Sequence, residues 1–520
     1  MNPIAPATPL SLRAKLGLAV AVCIISLPLI GLGVAWLHPI GLIDAPPIHS
    51  QRLILAAQKT VSLAVLVTAF SLILGTFFAW IQTRWTFAGS QLLTRLSILP
   101  LVLPSFLLAA TLREGFAPLG AAGQWLGTTT PFSGFWPTVL ILVISCTPYV
   151  QLVMSAALDR LPRQVEHAAQ VLGAQPRRVL REVILPALRP ALGFSALLVL
   201  IYAAADFGAV AVMDTHVLTY ELYQFAGRGG VQAPVIGLIL IITIVPLILL
   251  SRRLAGLQET HQLSYNRGTS GQRYTPPSWG RRVGTLTLCA YLALGLVLPL
   301  SLIARWGFTI PAQGNLQGPF LTTLIIGLTA GLITLVFGGF PALLVSQSKR
   351  RASLETLTFV ASGVPGVMIG FGLLQVALRL PNSGLRVLAE GGGLLFLGLA
   401  LRFASHSYAA LKPAFITQSQ QSIEAAQLLG AQTWRIWTTI RMPHLSPALA
   451  SGFLLSFVAV VKELPISLLL LPAGETTLAT RIFDANDDAH LGDLGAASLL
   501  LLAMVLVAQA LLWRWSRHEH

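Results

Sequence analysis

Ionisable side chains inside apolar runs are the first candidates for chemistry in this sequence. Asp206 lies in the run IYAAADFGAV, and Glu463 lies in VAVVKELPIS beside Lys462. A charged group at membrane depth is costly and usually faces a transport path or a partner on another helix. We expect the side chains of Tyr202, Asp206, Lys462 and Glu463 to line or gate such a path. The alternative is that Asp206, Lys462 and Glu463 lie at the outer ends of their helices and pair with one another.

Carboxylates also cluster in the segment AGETTLATRIFDANDDAHLGD, which begins ten residues after Glu463. Carboxylate oxygens suit hard cations. A solvated outer loop, or a docking surface for a partner's basic residues, explains the same composition. No set of metal ligands can therefore be assigned from this pattern.

Motifs for intrinsic catalysis are absent from the sequence. There is no GxxxxGK[ST] phosphate loop, HExxH pair or CxxC pair, and no Ser/His/Asp arrangement can be recognised. The chain is therefore expected not to be an enzyme and to bind no cofactor itself. The net charge of +15 does not indicate nucleic-acid binding, because no basic and aromatic interleaving accompanies it.

The elements that must position these residues are membrane-spanning helices. Hydrophobic residues make up 55 % of the chain and charged residues 10 %, with a mean hydropathy of +0.75. Apolar runs of about 18 or more residues recur, enough to cross a bilayer as helices. We predict an all-α polytopic protein with twelve spans, near 16–37, 55–81, 92–112, 136–158, 190–213, 234–250, 284–304, 321–345, 355–378, 393–411, 447–471 and 494–513.

One polar segment occurs twice, which shows that the chain is a tandem duplication. Residues 165–192 and 422–449 align without a gap at an offset of 257, with 13 identities in 28 positions. Asp206 and Glu463 are separated by the same offset. With six spans each, the halves have the same orientation, as in a parallel repeat. We predict a first half at 1–250, a linker at 251–282 and a second half at 283–520.

The repeated segment lies between the fourth and fifth spans of each half, at 159–189 and 416–446. We expect two short helices in each copy, with a break at Gly173 or Gly430 and an end at Pro186 or Pro443. A solvated loop would explain one copy. Two ungapped copies favour a docking role.

The distribution of Lys and Arg predicts the orientation. If the N-terminus is cytoplasmic, inner segments hold 24 Lys and Arg against 7 Asp and Glu, and the rest holds 10 against 12. Inner loops of membrane proteins are enriched in Lys and Arg. Both termini and both repeated segments are therefore expected on the cytoplasmic side of the inner membrane.

The repeated segment resembles the EAA loop of permease subunits in bacterial ATP-binding-cassette (ABC) importers. The second copy has the family's Glu, Ala, Ala, Gly and Pro, whereas in the first copy His167 stands at the Glu position and Glu166 precedes it. The resemblance implies the type I importer permease fold and a loop that docks on an ATPase subunit. The implied docking residues are Glu166, His167, Ala168, Ala169, Gly173, Pro186, Glu424, Ala425, Ala426, Gly430 and Pro443.

The segment KELPISLLLLPAGETTLATRIF resembles the fused permeases of ferric iron importers. That resemblance implies ferric iron as cargo, a periplasmic binding protein that delivers it, and two copies of a separate ATPase that binds ATP and Mg²⁺. Related importers carry thiamine, phosphonate, polyamines or sulfate. An ion-coupled secondary transporter and a non-transporting scaffold are the alternatives from other classes.

Overall fold

The structure is a computed structural model and describes residues 30, 31, 33, 50–127, 129–161, 175–226, 232–255, 273–347, 363–379 and 392–517. Nearly all of the predicted first span, 16–37, lies outside these residues. So do residues 256–272 of the predicted linker and the beginning of the ninth span.

Helices account for all of the regular structure in the described residues apart from one isolated bridge between Trp85 and Tyr274. Two short helical turns, Leu99–Val102 and Pro176–Val179, are left unnumbered. Numbered in chain order, the other helices are α1 (Ser50–Arg84), α2 (Ser90–Leu96), α3 (Ser105–Phe116), α4 (Ala121–Leu126), α5 (Phe135–Arg160), α6 (Leu180–Ala205), α7 (Gly208–Val212), α8 (Leu218–Ala226), α9 (Gln232–Ala255), α10 (Ser278–Thr309), α11 (Gln317–Gln347), α12 (Gly366–Arg379), α13 (Gly393–Ile416), α14 (Gln420–Leu428), α15 (Thr433–Val461), α16 (Pro465–Leu470), α17 (Leu478–Asp487) and α18 (Leu491–Arg517).

Eight helices in the described part of the chain are long and apolar enough to cross a membrane, or nine if a bent pair counts as one span. A helix lies at each predicted span from the second to the twelfth. The prediction of an all-α polytopic protein is therefore confirmed.

The predicted third span, 92–112, is not one straight helix. The segment from Ser90 to Val102 and helix α3 meet at 99°. Pro100 and Pro104 lie in this region, and each lacks the N–H that a continuous helix would use. Both segments are apolar, so apolar character alone predicted a single span and did not reveal the bend.

The predicted fifth and eleventh spans, 190–213 and 447–471, are also interrupted. Helix α6 ends at Ala205 and α7 starts at Gly208, while α15 ends at Val461 and α16 starts at Pro465. Asp206 has extended backbone angles, with φ −64° and ψ 132°. The acidic residue of each half therefore lies in a helix break rather than within a helix.

Contacts divide the chain into two compact units. The first unit contains residues 46–224 and 235–310, and the second consists mainly of the described residues from Pro311 onward. Helix α10 therefore packs within the first unit, where the Tyr291 hydroxyl donates a 2.8 Å hydrogen bond to the carbonyl of Ile144. The halves predicted from the sequence follow the duplication, whereas these units follow packing. The two divisions differ at α10, most of which belongs to the predicted second half but packs in the first unit.

Each unit contains the same close crossing of two spanning helices. A β-carbon on Gly75 of α1 would lie 2.8 Å from the carbonyl oxygen of Thr147 in α5. A β-carbon on Gly338 of α11 would similarly collide with the carbonyl oxygen of Ala404 in α13. Because only glycine permits this approach, the duplication is visible in the packing as well as in the sequence.

Candidate functional site

The second copy of the repeated segment folds as predicted around its glycine. Helix α14 begins after Ser419, whose side chain accepts a hydrogen bond from the backbone N–H of Ser422 at 3.2 Å. It ends before Gly430, which has φ +75°, and α15 begins at Thr433. A left-handed residue between two helices turns the chain sharply, so the segment forms a helical knob.

Large apolar side chains are exposed on this knob. Leu428 is 89 % exposed, Leu429 88 % and Trp434 69 %. Glu424 is exposed beside them. An exposed apolar patch with a polar surround is typical of a surface that binds a partner protein.

The prolines of the repeated segments do not end a helix, contrary to the sequence prediction. A π-helical turn, Leu180–Ile184 or Trp437–Arg441, lies just before Pro186 or Pro443 in each copy. Proline lacks an N–H and its ring clashes with the carbonyl four residues earlier. The wider π turn accommodates both effects, and α6 and α15 therefore continue through the proline into the spanning region.

Only part of the predicted docking set can be placed. Glu424 and Ala425 are exposed and Ala426 is half-buried. The first copy's equivalents lie outside the described residues, namely Glu166, His167, Ala168, Ala169 and Gly173.

In the first unit, Asp206 is held at the break between α6 and α7. Its Oδ2 accepts a 2.6 Å hydrogen bond from the hydroxyl of Ser105, at the start of α3. Its Oδ1 accepts the backbone N–H of Ala209 at 2.8 Å, and the Thr219 hydroxyl donates to the Asp206 carbonyl at 2.9 Å. These bonds fix both the carboxylate and the interrupted backbone.

Tyr202 lies beside this carboxylate, and Tyr149 packs against Tyr202. The phenol of Tyr202, one turn earlier on α6, interacts with the Asp206 carboxylate and with the Ser105 hydroxyl. Its ring centroid is 5.7 Å from that of Tyr149 on α5. Tyr202, Asp206 and Tyr149 all remain partly exposed. The predicted residues Tyr202 and Asp206 are therefore close together, and sequence reasoning missed Tyr149.

In the second unit, Glu463 is buried and has a cationic partner. Its Oε2 lies 3.2 Å from Nε of Arg402 on α13, and Nη1 of Arg402 donates to the Val364 carbonyl at 2.8 Å. Glu463 therefore pairs with Arg402 on another helix and not with Asp206 or Lys462 in this ion pair. Arg402 was not among the predicted site residues, although a basic residue inside an apolar run was the signal that could have identified it.

Lys462 occupies the end of α15 and is partly exposed, whereas Glu463 is buried. The Lys462 ammonium interacts electrostatically with His406 on α13. The adjacent residues therefore interact with different side chains of α13. Whether these groups gate a path remains a prediction.

The acidic segment 473–493 is not simply a solvated loop. Helix α17 buries Leu478, Ile482 and Phe483. The Thr323 hydroxyl of α11 accepts the Leu478 N–H at 2.8 Å. In the first unit, the Thr60 hydroxyl of α1 accepts the Leu218 N–H of α8 at 3.0 Å in the same way. Each unit thus anchors a short helix against a spanning helix, α1 or α11.

Asp493, which the sequence grouped with the possible ligands, is a structural residue. It is 1 % exposed, binds Arg481 at 2.7 Å, and accepts the backbone N–H groups of Gln313 and Gly314. Within the described residues, no three His, Cys, Asp or Glu side chains are grouped closely enough to hold a metal ion.

In the first unit, a basic groove lies beside α8, the short helix that corresponds to α17. The Glu221 carboxylate is buried there and binds Arg52 at 2.9 Å and His216 at 2.9 Å. Lys59 adds a further cation to the lining. Arg481 of α17 occupies the position that Glu221 occupies in α8 when Leu218 is aligned with Leu478, so the duplicated helices carry opposite charges there.

The chain has two units of apolar helices, spans that are interrupted at acidic residues, and an exposed helical knob. This combination is typical of a polytopic membrane transport component. The sequence profile of the family described as binding-protein-dependent transport system inner membrane component matches residues 71–262 and 327–515. The chain belongs to this family and is a duplicated permease of the importer class.

Several relatives align with much or part of the chain. The Fe(3+)-transport system permease protein FbpB 2 of Haemophilus influenzae is 25 % identical over 86 % of this chain and 87 % of its own length. The ferric transport system permease protein FbpB of Actinobacillus pleuropneumoniae is 23 % identical over 87 % of this chain and 69 % of its own. The sulfate transport system permease protein CysT of Salmonella typhimurium is 34 % identical over 30 % of this chain and 58 % of its own.

Proposed function

We propose that this chain is the permease of an ABC importer that moves ferric iron across the bacterial inner membrane. A periplasmic binding protein delivers the iron, and two copies of a separate ATPase, which bind ATP and Mg²⁺, drive transport from the cytoplasmic side. The chain itself binds no cofactor and hydrolyses no ATP.

The exposed knob of the second repeat carries the proposal of an ATPase partner. Leu428, Leu429 and Trp434 surround a left-handed glycine and project from an otherwise polar segment. Exposed side chains of this size cost free energy in water unless a partner covers them. The positive-inside count supports a cytoplasmic position for this knob and for both termini.

Two observations support ferric iron as cargo. The ferric permeases of Haemophilus influenzae and Actinobacillus pleuropneumoniae align with most of the chain. The first unit also presents the partly exposed Asp206 carboxylate and the Tyr202 phenol one turn before it, and oxygen groups of this kind prefer hard cations.

A test of the ATPase partner compares two exposed positions one turn apart on α15. Trp434→Ala should weaken binding of the importer ATPase by about 2 kcal/mol, or roughly thirtyfold in Kd, because buried tryptophans dominate such interfaces. Thr438→Ala is the matched control and should bind normally. Transport that proceeds without any ATPase would overturn the proposal in favour of a secondary transporter.

A second candidate cargo, an oxyanion, is favoured by other relatives. The putative 2-aminoethylphosphonate transport system permease protein PhnV of Salmonella typhi is 26 % identical over 42 % of this chain. Uptake of radiolabelled ferric iron, sulfate and phosphonate by cells with and without the chain separates these cargoes. Loss of ferric uptake alone on deletion is the expected result.

A further inference from the structure

The basic groove beside α8 has no part in the proposed function. It has a volume of about 540 Å³, and its lining includes Arg52, Lys59, His216 and Glu221. We propose that this groove binds the phosphate headgroup of an anionic phospholipid, with Lys59 and His216 as the groups that contact the phosphate. The inference goes beyond the proposed function and does not depend on which cargo is imported.

The groove carries one positive charge more than its acidic residue neutralises. Glu221 is the acid among the described lining residues, and its carboxylate accepts hydrogen bonds from Nε and Nη2 of Arg52 at 3.1 and 2.9 Å. Arg52 and Glu221 thus compensate each other, and the exposed ammonium of Lys59 adds a further positive charge. Because opposite charges attract, the groove favours an anion.

His216 supplies a second group, from the segment just before α8. Its Nδ1 lies 2.9 Å from Oε1 of the buried Glu221, and an ionised carboxylate only accepts hydrogen bonds, so Nδ1 donates. The side chain is 46 % exposed, and the protonated ring can donate its second hydrogen bond, from Nε2, to an anion. Glu221 therefore orients both Arg52 and His216 and acts as a positioning residue.

Lys59 lies at the depth of the lipid headgroups. Helix α1 carries no charged side chain in residues 60–83, and these 24 residues span about 36 Å as a helix. The hydrocarbon core of a bilayer is about 30 Å thick, so Lys59 lies at one boundary of the core. A lysine at this depth keeps its methylene groups on apolar surface and extends its ammonium toward the phosphates.

The face of α1 that continues from Lys59 favours a lipid over a free anion or a protein partner. Phe70 and Ile73 follow Lys59 by 11 and 14 residues, which brings them back to nearly the same face of the helix. Both side chains are exposed, and an exposed apolar face at this depth contacts acyl chains. A phospholipid held by its phosphate at Lys59 can place its chains along this face, whereas inorganic phosphate and an acidic protein side chain cannot.

The second unit lacks the groups that define the site. Aligning Thr60 with Thr323 places Thr322 at the position of Lys59, and the Thr322 hydroxyl donates to Oε2 of Glu475 at 2.8 Å. A carboxylate beside this position repels a phosphate. The lipid site is therefore confined to the first unit.

Lipid binding to the intact chain tests the site. The purified protein in detergent is titrated with phosphatidylglycerol, and in a parallel arm with inorganic phosphate, while native mass spectrometry counts the bound ligand. The unaltered chain should bind phosphatidylglycerol. Lys59→Gln should weaken this binding about fivefold, as expected for one lysine near an anionic lipid, and His216→Ala should weaken it at least about twofold.

Arg305→Gln is the matched control, because it removes an exposed cation from another spanning helix, α10. This variant should bind phosphatidylglycerol as the unaltered chain does. No loss of binding in Lys59→Gln, or an equal loss in Arg305→Gln, would overturn the site.

Two further results would assign the groove to another ligand and also overturn the lipid site. Inorganic phosphate that binds as tightly as phosphatidylglycerol, and depends on Lys59, would indicate a site for a free anion. If phosphatidylglycerol does not bind and Lys59→Gln instead weakens binding of the periplasmic binding protein, the groove is a protein docking surface.

Discussion

Gly366 leaves space for the carboxyl group of Glu463, since a β-carbon on this glycine would lie 2.5 Å from Oε1. In the first unit the corresponding position holds Ser105, whose hydroxyl donates to the shorter Asp206 at 2.6 Å. A longer acid thus faces the smaller residue, and a shorter acid faces the larger one. In the two duplicated sites, the acid and the residue that faces it therefore differ together.

This pairing predicts that Gly366→Ser disrupts the second unit. The added side chain displaces Glu463 and weakens its 3.2 Å ion pair with Arg402, and overpacking of this kind typically costs about 1 to 3 kcal/mol. The double variant Gly366→Ser, Glu463→Asp should recover part of the loss, because it reproduces the first unit's combination. Thermal unfolding in detergent is the measurement, and a double variant less stable than Gly366→Ser would contradict the explanation.

The ion pair between Arg402 and Glu463 predicts strong coupling in a double-mutant cycle. Their side chains are 19 % and 8 % exposed, so removing one partner leaves a largely buried charge. Arg402→Gln and Glu463→Gln should each destabilise the protein by about 3 kcal/mol. The double variant should lose much less than the sum of the two. Additive losses in the unfolding free energy would show that the two side chains act independently.

The positions of the spanning helices could be predicted from the sequence, but their interruptions could not. A run of apolar residues requires burial or lipid, and helix satisfies its backbone in either environment. The 99° bend before α3 depends on Pro100 and Pro104, and proline is also tolerated without a bend, as the π turn before Pro443 shows. Apolar content does not distinguish these outcomes.

The candidate site was only partly predictable for a similar reason. Asp206 and Glu463 were identifiable as charges in apolar runs, and their common offset showed that they are equivalent. Arg402 carried the same signal, a charge in an apolar run, but its pairing with Glu463 became apparent only from the packing of α13. Tyr149 became recognisable only from its packing against Tyr202. Helix α17 was hidden because ten residues with polar neighbours resemble a loop.

Asp484 on α17 predicts a pH-dependent gain of stability on substitution. Partial burial, and then the charge of Asp487, raises the pKa of this carboxyl above its ordinary value of 3.8, with Asp488 adding to the effect and Arg481 opposing it. A carboxyl whose pKa is higher in the folded state than in the unfolded state binds protons more readily when folded. Its ionisation therefore penalises folding above the folded-state pKa, and the penalty disappears below the unfolded value.

Asp484→Asn removes this penalty. The variant should unfold at a higher temperature than the unaltered protein at about pH 7, and the difference should shrink as the pH falls toward about 4. Thermal scans at both pH values provide the measurement. An equal difference at both values would exclude ionisation of this carboxyl as the cause.

The conformation of Gly430 in the knob of the second repeat leads to a prediction that separates the effect of backbone shape from that of side-chain contact. Gly430 has φ +75°, and a β-carbon placed on it would meet nothing within 4 Å. Any effect of Gly430→Ala must therefore come from the left-handed backbone, which costs a residue with a β-carbon about 1 kcal/mol or more. The alanine variant should shift the knob away from its bent form and weaken ATPase binding by roughly fivefold to tenfold.

Asparagine tolerates this conformation better, so Gly430→Asn should bind more tightly than Gly430→Ala despite its larger side chain. Affinity for the importer ATPase, measured with both variants in nanodiscs, is the test. If asparagine weakens binding more than alanine, the glycine is required for close contact with the partner and not for its backbone conformation.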